Sequence, residues 1–172
     1  VEFARDAAKK KAEKKEGEAD DEEPLPELVK ETFQIENALR FQRQAVTVSE
    51  RTLGLDHPDT MVHYINLSAL ERSAGHFDVA LRYQDRIMEL WQLLYGRDHP
   101  DAVHTLSSIA LLLQSRQDFD TSLQAYQSSH DLALRLFGPD SIYTGNMAHE
   151  LSQAYTLSGD LKTAIQVEKD AW

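Results

Sequence analysis

Gly54-Leu55-Asp56-His57-Pro58-Asp59, Gly96-Arg97-Asp98-His99-Pro100-Asp101 and Gly138-Pro139-Asp140-Ser141 are three copies of one phrase, with Gly and Asp in register and His-Pro-Asp kept in the first two. The glycines stand 42 residues apart (96 − 54 = 42; 138 − 96 = 42). Self-similarity at a fixed period of roughly 20 to 50 residues marks an array of stacked supersecondary units. None of these units can bury its apolar face alone, and such arrays more often bind partners than catalyse.

Working outward from the phrase, the apolar spacing is that of paired helices. The unit after Gly54 divides into a helix from about Thr60 to Ser73, a tight corner at Ala74-Gly75-His76 and a second helix from about Asp78 to Tyr95. His57-Pro58-Asp59 starts the first of these, because proline is tolerated where the amide is unpaired and carboxylates favour the positive end of a helix. Gly96 closes the second and is expected in the left-handed conformation. Adding 42 keeps the character of each position: Leu67, Ile109 and Leu151; Phe77, Phe119 and Leu161; Ala80, Ser122 and Ala164; Leu81, Leu123 and Ile165. Upstream, Ile35, Leu39, Val46 and Leu53, with Ala38, Ala45 and Val48 beside them, predict one long helix. The expected organisation is all-α, an α-solenoid of antiparallel helix pairs. It has a partial repeat over 28–53, units over 60–95 and 102–137, and a truncated unit over 144–172.

Composition narrows the function. The chain of 172 residues carries 18 basic and 29 acidic side chains, a formal charge of −11, so phosphate backbones are repelled. The absence of Cys removes disulfides, Cys-ligated zinc and thiol nucleophiles. No apolar run reaches the ~18 residues of a membrane span, and the expectation is a soluble, cytoplasmic segment of a larger protein. Residues 1–27 differ in kind: Lys9-Lys10-Lys11 and Lys14-Lys15 precede an almost solidly acidic run from Glu18 to Glu23 and then Pro24-Leu25-Pro26. Too little of this can be buried to offset ordering entropy, and it reads as a flexible linker or insertion.

Ser68, Ala110 and Ser152, Gly75 and Gly159, Phe77 and Phe119, and Ala80 and Ala164 together resemble the tetratricopeptide (TPR) pattern. The 42-residue period and the Gly-x-Asp-His-Pro-Asp phrase are similar to the repeats of kinesin light chains and of clustered-mitochondria (CLU) proteins. Ser49-Glu50-Arg51-Thr52-Leu53-Gly54 through Thr60, followed by Tyr64-Ile65-Asn66-Leu67-Ser68, most resembles the C-terminal TPR region of a clustered-mitochondria protein. The resemblance covers about residues 44–172. It implies a TPR-like right-handed superhelix within a cytoplasmic, multidomain parent concerned with mitochondrial distribution, messenger RNA binding and translation initiation. Two departures stand out. The first helix of the first repeat falls on Ala19 to Thr32, where Pro24, Pro26 and the acidic run preclude an apolar face. Val1, Ala4 and Ala8 give a weak helical periodicity that is one source for the missing piece. The third unit lacks His-Pro, and its second helix is cut at Trp172.

Catalytic and metal signatures are missing from the sequence. The seven histidines include no pair three or four residues apart on a helix. His149-Glu150-Leu151-Ser152-Gln153 begins like the helical zinc-protease motif but ends in Gln, where the second ligand belongs. No Gly-rich phosphate loop or Gly-x-Ser-x-Gly elbow occurs, and neither enzyme activity nor a cofactor or metal is expected. His57 and His99 are assigned to capping and loop packing.

The concave wall of the array supplies the candidate site. With Met61, Val103 and Gly145 opening the repeats, the inner positions of the first are Val62, Ile65, Asn66, Ala69 and Arg72. Those of the second are His104, Ser107, Ser108, Leu111 and Gln114; those of the third are Asn146, His149, Glu150 and Gln153. Repeats that grip a terminal carboxylate use several Lys, Arg and Asn here, whereas Arg72 is the lone permanent cation in this set. The mixed lining suits an extended peptide or a helix, amides bonding its backbone while Ile65 and Leu111 give apolar contact. The sequence therefore predicts a non-catalytic protein-interaction scaffold. A kinesin-light-chain-like cargo adaptor and an RNA-binding segment are the alternatives, and self-association through exposed ends is a further possible contact. From Phe33 on, 11 basic and 18 acidic groups leave 11 − 18 = −7, which opposes the RNA alternative.

Overall fold

The computed structural model describes residues 27–170, with side chains from residue 33. The charged stretch through residue 26, the Val1–Ala8 periodicity and Trp172 lie outside the described residues. Among the described residues there are seven helices and no strand: α1 (Glu27–Thr52), α2 (Pro58–Ser73), α3 (Phe77–Tyr95), α4 (Pro100–Ser115), α5 (Phe119–Phe137), α6 (Ile142–Ser158) and α7 (Leu161–Asp170). The backbone divides into two compact units, Val1–Gln34 and Ile35–Trp172. The described part of the first is the start of α1; all the helix hairpins lie in the second. There, α2 to α7 each pack against their neighbours in sequence, the hallmark of a TPR-like solenoid and not of a closed bundle.

The repeated phrase builds each inter-repeat turn by the same chemistry. Pro58 and Pro100 sit in the first turn of α2 and α4, and the ring Nδ1 of the preceding His accepts the amide of the following Asp: His57 from Asp59 at 3.1 Å, His99 from Asp101 at 3.3 Å. In the third copy, Ser141 does the same through its hydroxyl, accepting from Tyr143 N at 3.2 Å. Loss of His-Pro therefore leaves the cap in place, since any acceptor at that position satisfies the unpaired amide. Thr60 and Thr144 close their turns by donating to the carbonyls of Gly54 (2.8 Å) and Gly138 (2.7 Å).

One expectation at this turn is corrected. Gly96 adopts φ 92°, ψ 175°, and Gly138 φ 79°, ψ 173°: positive φ, but extended in ψ and not left-handed helical. The chain leaves the helix straight toward the next cap, through a region essentially restricted to glycine. Positive φ also appears at the corners within each hairpin, at Gly75 (φ 79°), Gln117 (φ 65°) and Gly159, which at φ 89°, ψ 0° is left-handed helical. Each corner carries the same pair of bonds: Gly75 N to Arg72 O with His76 N to Glu71 O, Gln117 N to Gln114 O with Asp118 N to Leu113 O, and Gly159 N to Thr156 O with Asp160 N to Tyr155 O. These bonds impose the geometry whether or not glycine is present, and Gln117 is held where a Cβ is unfavourable.

Helix crossings use small residues. Ser68 donates to the Ala80 carbonyl at 3.0 Å; one period later the residue types are exchanged and Ser122 donates to the Ala110 carbonyl at 2.8 Å. Close approach needs a small residue on both sides and a hydroxyl on only one. Buried clusters repeat along the array: Leu39, Val46, Met61, Tyr64, Leu67, Ile87, Leu90 and Trp91; then Ala102, Val103, Leu132, Ala133 and Met147; then Ala110, Tyr126, Leu151 and Ala154. Val48 and Leu53, read with the apolar side of α1, are exposed instead. Leu53 lies past the helix end, and Val48 faces away from α2, which is covered through Leu39 and Val46.

A buried ion pair ties α1 to this stack. The Glu71 side chain is 1% exposed, and its Oε1 accepts from Arg43 Nε (3.0 Å) and Nη2 (2.6 Å) while Oε2 meets His76 Nδ1 at 2.7 Å. Both carboxylate oxygens are thereby satisfied, as burial of a charge requires.

Candidate protein-docking groove

The first helices of the hairpins, α2, α4 and α6, carry the residues expected to line the inner wall. Their N-terminal caps fix the start of each helix, and every third or fourth residue thereafter shares a face. On α2, Val62 and Ile65 are 51% and 38% exposed, beside exposed Asn66, Ala69 and Arg72. Exposed β-branched aliphatics in adjacent turns are not required by the core, which Met61, Tyr64 and Leu67 fill from the opposite side.

Between α2 and α4 a cleft of about 350 Å³ opens, lined by Met61, Val62, Ile65, Gln84, Trp91, Asp101, His104, Thr105 and Ser108. It brings together four of the residues expected from sequence: Val62, Ile65, His104 and Ser108. Trp91 of α3 forms part of its lining and was not foreseen. Its indole Nε1 donates to Thr105 Oγ1 at 3.1 Å and its ring stacks on His99, centroids 4.6 Å apart, so the orientation is fixed at both ends. At 8% exposed, Trp91 is core by area. That its edge reaches the cleft depends on the spacing of α2 and α4, which no local pattern encodes. Asp101 was likewise read only as a helix-start residue.

The remaining candidates divide by what already occupies them. Among the described residues, Asn66, Arg72, Ser108 and Asn146 make no side-chain hydrogen bond or ion pair. Farther along, Ser107 donates to the Glu150 carboxylate, joining α4 to α6. Gln153 donates to His149 Nε2 at 2.9 Å, which leaves Nδ1 of the same ring as the donor to Glu168 of α7 at 3.1 Å. Gln153 thus bonds the histidine from the position where the zinc-protease motif would carry a second ligand. Gln114 accepts from the Tyr126 hydroxyl at 3.4 Å, and burial, then the Glu150 charge, push that phenol up to about 12 and keep it a donor. Leu111 is half-buried. A ligand at α6 would have to displace internal bonds worth about 0.5–1.5 kcal/mol each, whereas at α2 and the near side of α4 it meets unengaged groups.

Among the described residues no group of three His, Asp or Glu side chains is placed to hold a metal ion, and no helix is long and apolar enough to cross a membrane.

Comparison with known proteins agrees with this architecture. The family profile described as tetratricopeptide repeat matches residues 30–85 and 103–171. A clustered mitochondria protein homolog of Malassezia globosa is 80% identical over 151 residues, covering 88% of this chain and 11% of that protein. The homolog of Mycosarcoma maydis is 57% identical over 151 residues with the same coverage, and that of Emericella nidulans 36% over 148 residues. The chain thus spans only about a ninth of the length of these relatives. Among solved structures, BtubC (BKLC) from P. vanneervenii superposes with a TM-score of 0.72 at 18% identity, over 80% of this chain and 55% of that one. A Podosopora anserina putative kinesin light chain with nearly identical TPR-like repeats gives 0.70 at 17% identity, over 80% and 65%. At such identities the two structures speak to the fold alone.

Proposed function

The chain belongs to the tetratricopeptide-repeat family, and from that premise we propose that it is a non-catalytic docking scaffold holding a segment of a partner protein between α2 and α4. One observation carries the proposal: Val62 and Ile65 stand exposed beside a cleft that Trp91 also lines, with Asn66, Arg72 and Ser108 unengaged around them. Apolar anchoring surface ringed by free amide, hydroxyl and guanidinium groups is what an extended peptide needs from a groove. On this reading the likeness to clustered mitochondria protein homologs supports a role for the longer protein in mitochondrial distribution, with this segment supplying one of its protein contacts. The net charge of −11 disfavours binding of a phosphate backbone by this segment, so the protein-docking reading is preferred to the RNA-binding alternative.

The test replaces Asn66, Arg72 and His104 together with alanine. All three side chains are exposed, so the thermal melt followed by circular dichroism should stay within about 2 °C of the parent, as surface changes within about 0.5 kcal/mol allow. Partners recovered from cell extract by the parent chain should be lost by the variant. Recovery of the same partners by both chains would refute the groove as the docking site.

A further inference from the structure

We propose that the segment held in this groove is basic: an apolar side chain enters the α2–α4 cleft and a Lys or Arg of the same segment sits against the carboxylate edge formed by Asp59 and Asp101. The inference rests on the docking reading above and adds the chemistry of the ligand.

Asp101 is the one lining residue of the cleft that carries a permanent charge. Its side chain is more than half exposed, and its Oδ2 lies 3.9 Å from His99 Nδ1, beyond hydrogen-bonding distance, so its oxygens are open to an incoming donor. Asp59 holds the equivalent place on α2, one 42-residue period earlier, and is exposed as well. The two carboxylates therefore stand at the starts of the two helices that bound the cleft. Arg72, the one cation among the expected groove residues, lies 72 − 59 = 13 residues farther along α2, about 20 Å away at 1.5 Å per residue. One edge of the groove is thus acidic and the cation belongs to the other. Behind them stands a chain with a formal charge of −11, whose long-range field draws in cations and turns away acidic segments. The apolar part of the site is sized for a large side chain: the cleft of about 350 Å³ has Met61, Val62 and Ile65 on one side and the indole of Trp91 on another.

Both carboxylates also sit in the first turn of a helix, where they stabilise the helix start, so a variant at Asp101 has to be read against its own melt. The experiment passes the full 172-residue chain over three immobilised decapeptide pools. The first has a central Leu, Phe or Trp flanked by Lys and Arg, the second the same centre flanked by Asp and Glu, and the third a central Ala flanked by Lys and Arg. The basic apolar pool should retain the chain at least tenfold better than either other pool. Ile65→Lys, which puts a cation into the cleft, should abolish that retention. Asp101→Asn should weaken it about threefold, the size expected for one exposed ion pair, when both chains are compared well below their own melts.

Each other result overturns the proposal in a distinguishable way. If the acidic pool binds as well as the basic one and Ile65→Lys abolishes both, the charge assignment is wrong and the groove stands. Equal retention by the alanine-centred pool would reduce the effect to bulk attraction. If retention by the basic apolar pool survives Ile65→Lys, the ligand is not in the groove and the docking reading falls with the proposal. Retention by none of the pools overturns the ligand chemistry, and leaves the groove to be judged by the extract capture.

Discussion

Removing Arg43 should detach α1 from the array before anything else unfolds. Glu71 is buried to 1% exposure, and its two oxygens are divided between Arg43 on α1 and His76 at the α2–α3 corner. Breaking a fully buried pair from one side costs about 3–5 kcal/mol, because the other charge is left without a partner. Here the figure is lower: His76 keeps Oε2, and the Arg43 side chain is 54% exposed, so water enters the place it vacates. We expect Arg43→Ala to cost about 2 kcal/mol, which at 1.4 kcal/mol per tenfold is roughly a 30-fold rise in the opening of α1. Glu71→Gln keeps the volume but gives up the charge-assisted bonds, for about 1–2 kcal/mol. The informative quantity is the coupling. Once Glu71 is neutral, a half-exposed Arg43 has little left to hold, and Arg43→Ala in the Glu71→Gln background should add less than about 0.5 kcal/mol. Native-state hydrogen exchange reads this directly: amides of Leu39 to Ser49 lose protection about 30-fold in Arg43→Ala while those of α5 hold theirs, since repeats open locally. Protection at α1 changed less than twofold, or additive effects of the two substitutions, would show that packing of Leu39 and Val46 alone secures this helix.

Gln117 occupies the left-handed corner where the neighbouring hairpins place Gly75 and Gly159, so Gln117→Gly should relieve about 1–2 kcal/mol of strain, less the extra entropy of glycine in the unfolded chain. The net expectation is stabilisation of about 0.5–1 kcal/mol in urea unfolding, and a loss of stability would show that the glutamine side chain contributes something beyond the backbone shape. The Tyr126 phenol, raised to about 12 by burial, should make the fold lose stability as pH rises from 10 toward 12, because the unfolded chain gives up that proton first. Tyr126→Phe should lessen the decline over that window without abolishing it, because burial raises the Tyr64 phenol to about 12 as well; denaturant midpoints measured at successive pH values would register the difference, and an unaltered slope would place the alkaline loss elsewhere.

Much of the helix pattern was legible because its causes are local. The Gly-x-Asp-His-Pro-Asp phrase holds a residue that tolerates positive φ, a capping acceptor and a proline within six positions, and those elements suffice to stop one helix and start the next. The 42-residue recurrence then required each hairpin to lean on its neighbour. Where the reading went wrong, the cause was not local. The ψ of Gly96 follows from where the next helix must begin, and the exposure of Val48 from which side of α1 meets α2.

The sequence by itself determined that this chain is a stack of paired helices, because periodicity and caps are properties of neighbouring residues. Only the tertiary structure decided which inner-wall residues are free. Ser107, His149, Glu150 and Gln153 look as available in sequence as Asn66, Arg72 and Ser108, yet the first group is bonded across α4, α6 and α7 and the second is not. Likewise Trp91, on a second helix, reaches the cleft only because α2 and α4 are separated just enough to leave its edge uncovered. Such facts depend on distances between helices, and those distances are set by the fit of side chains far apart in the chain.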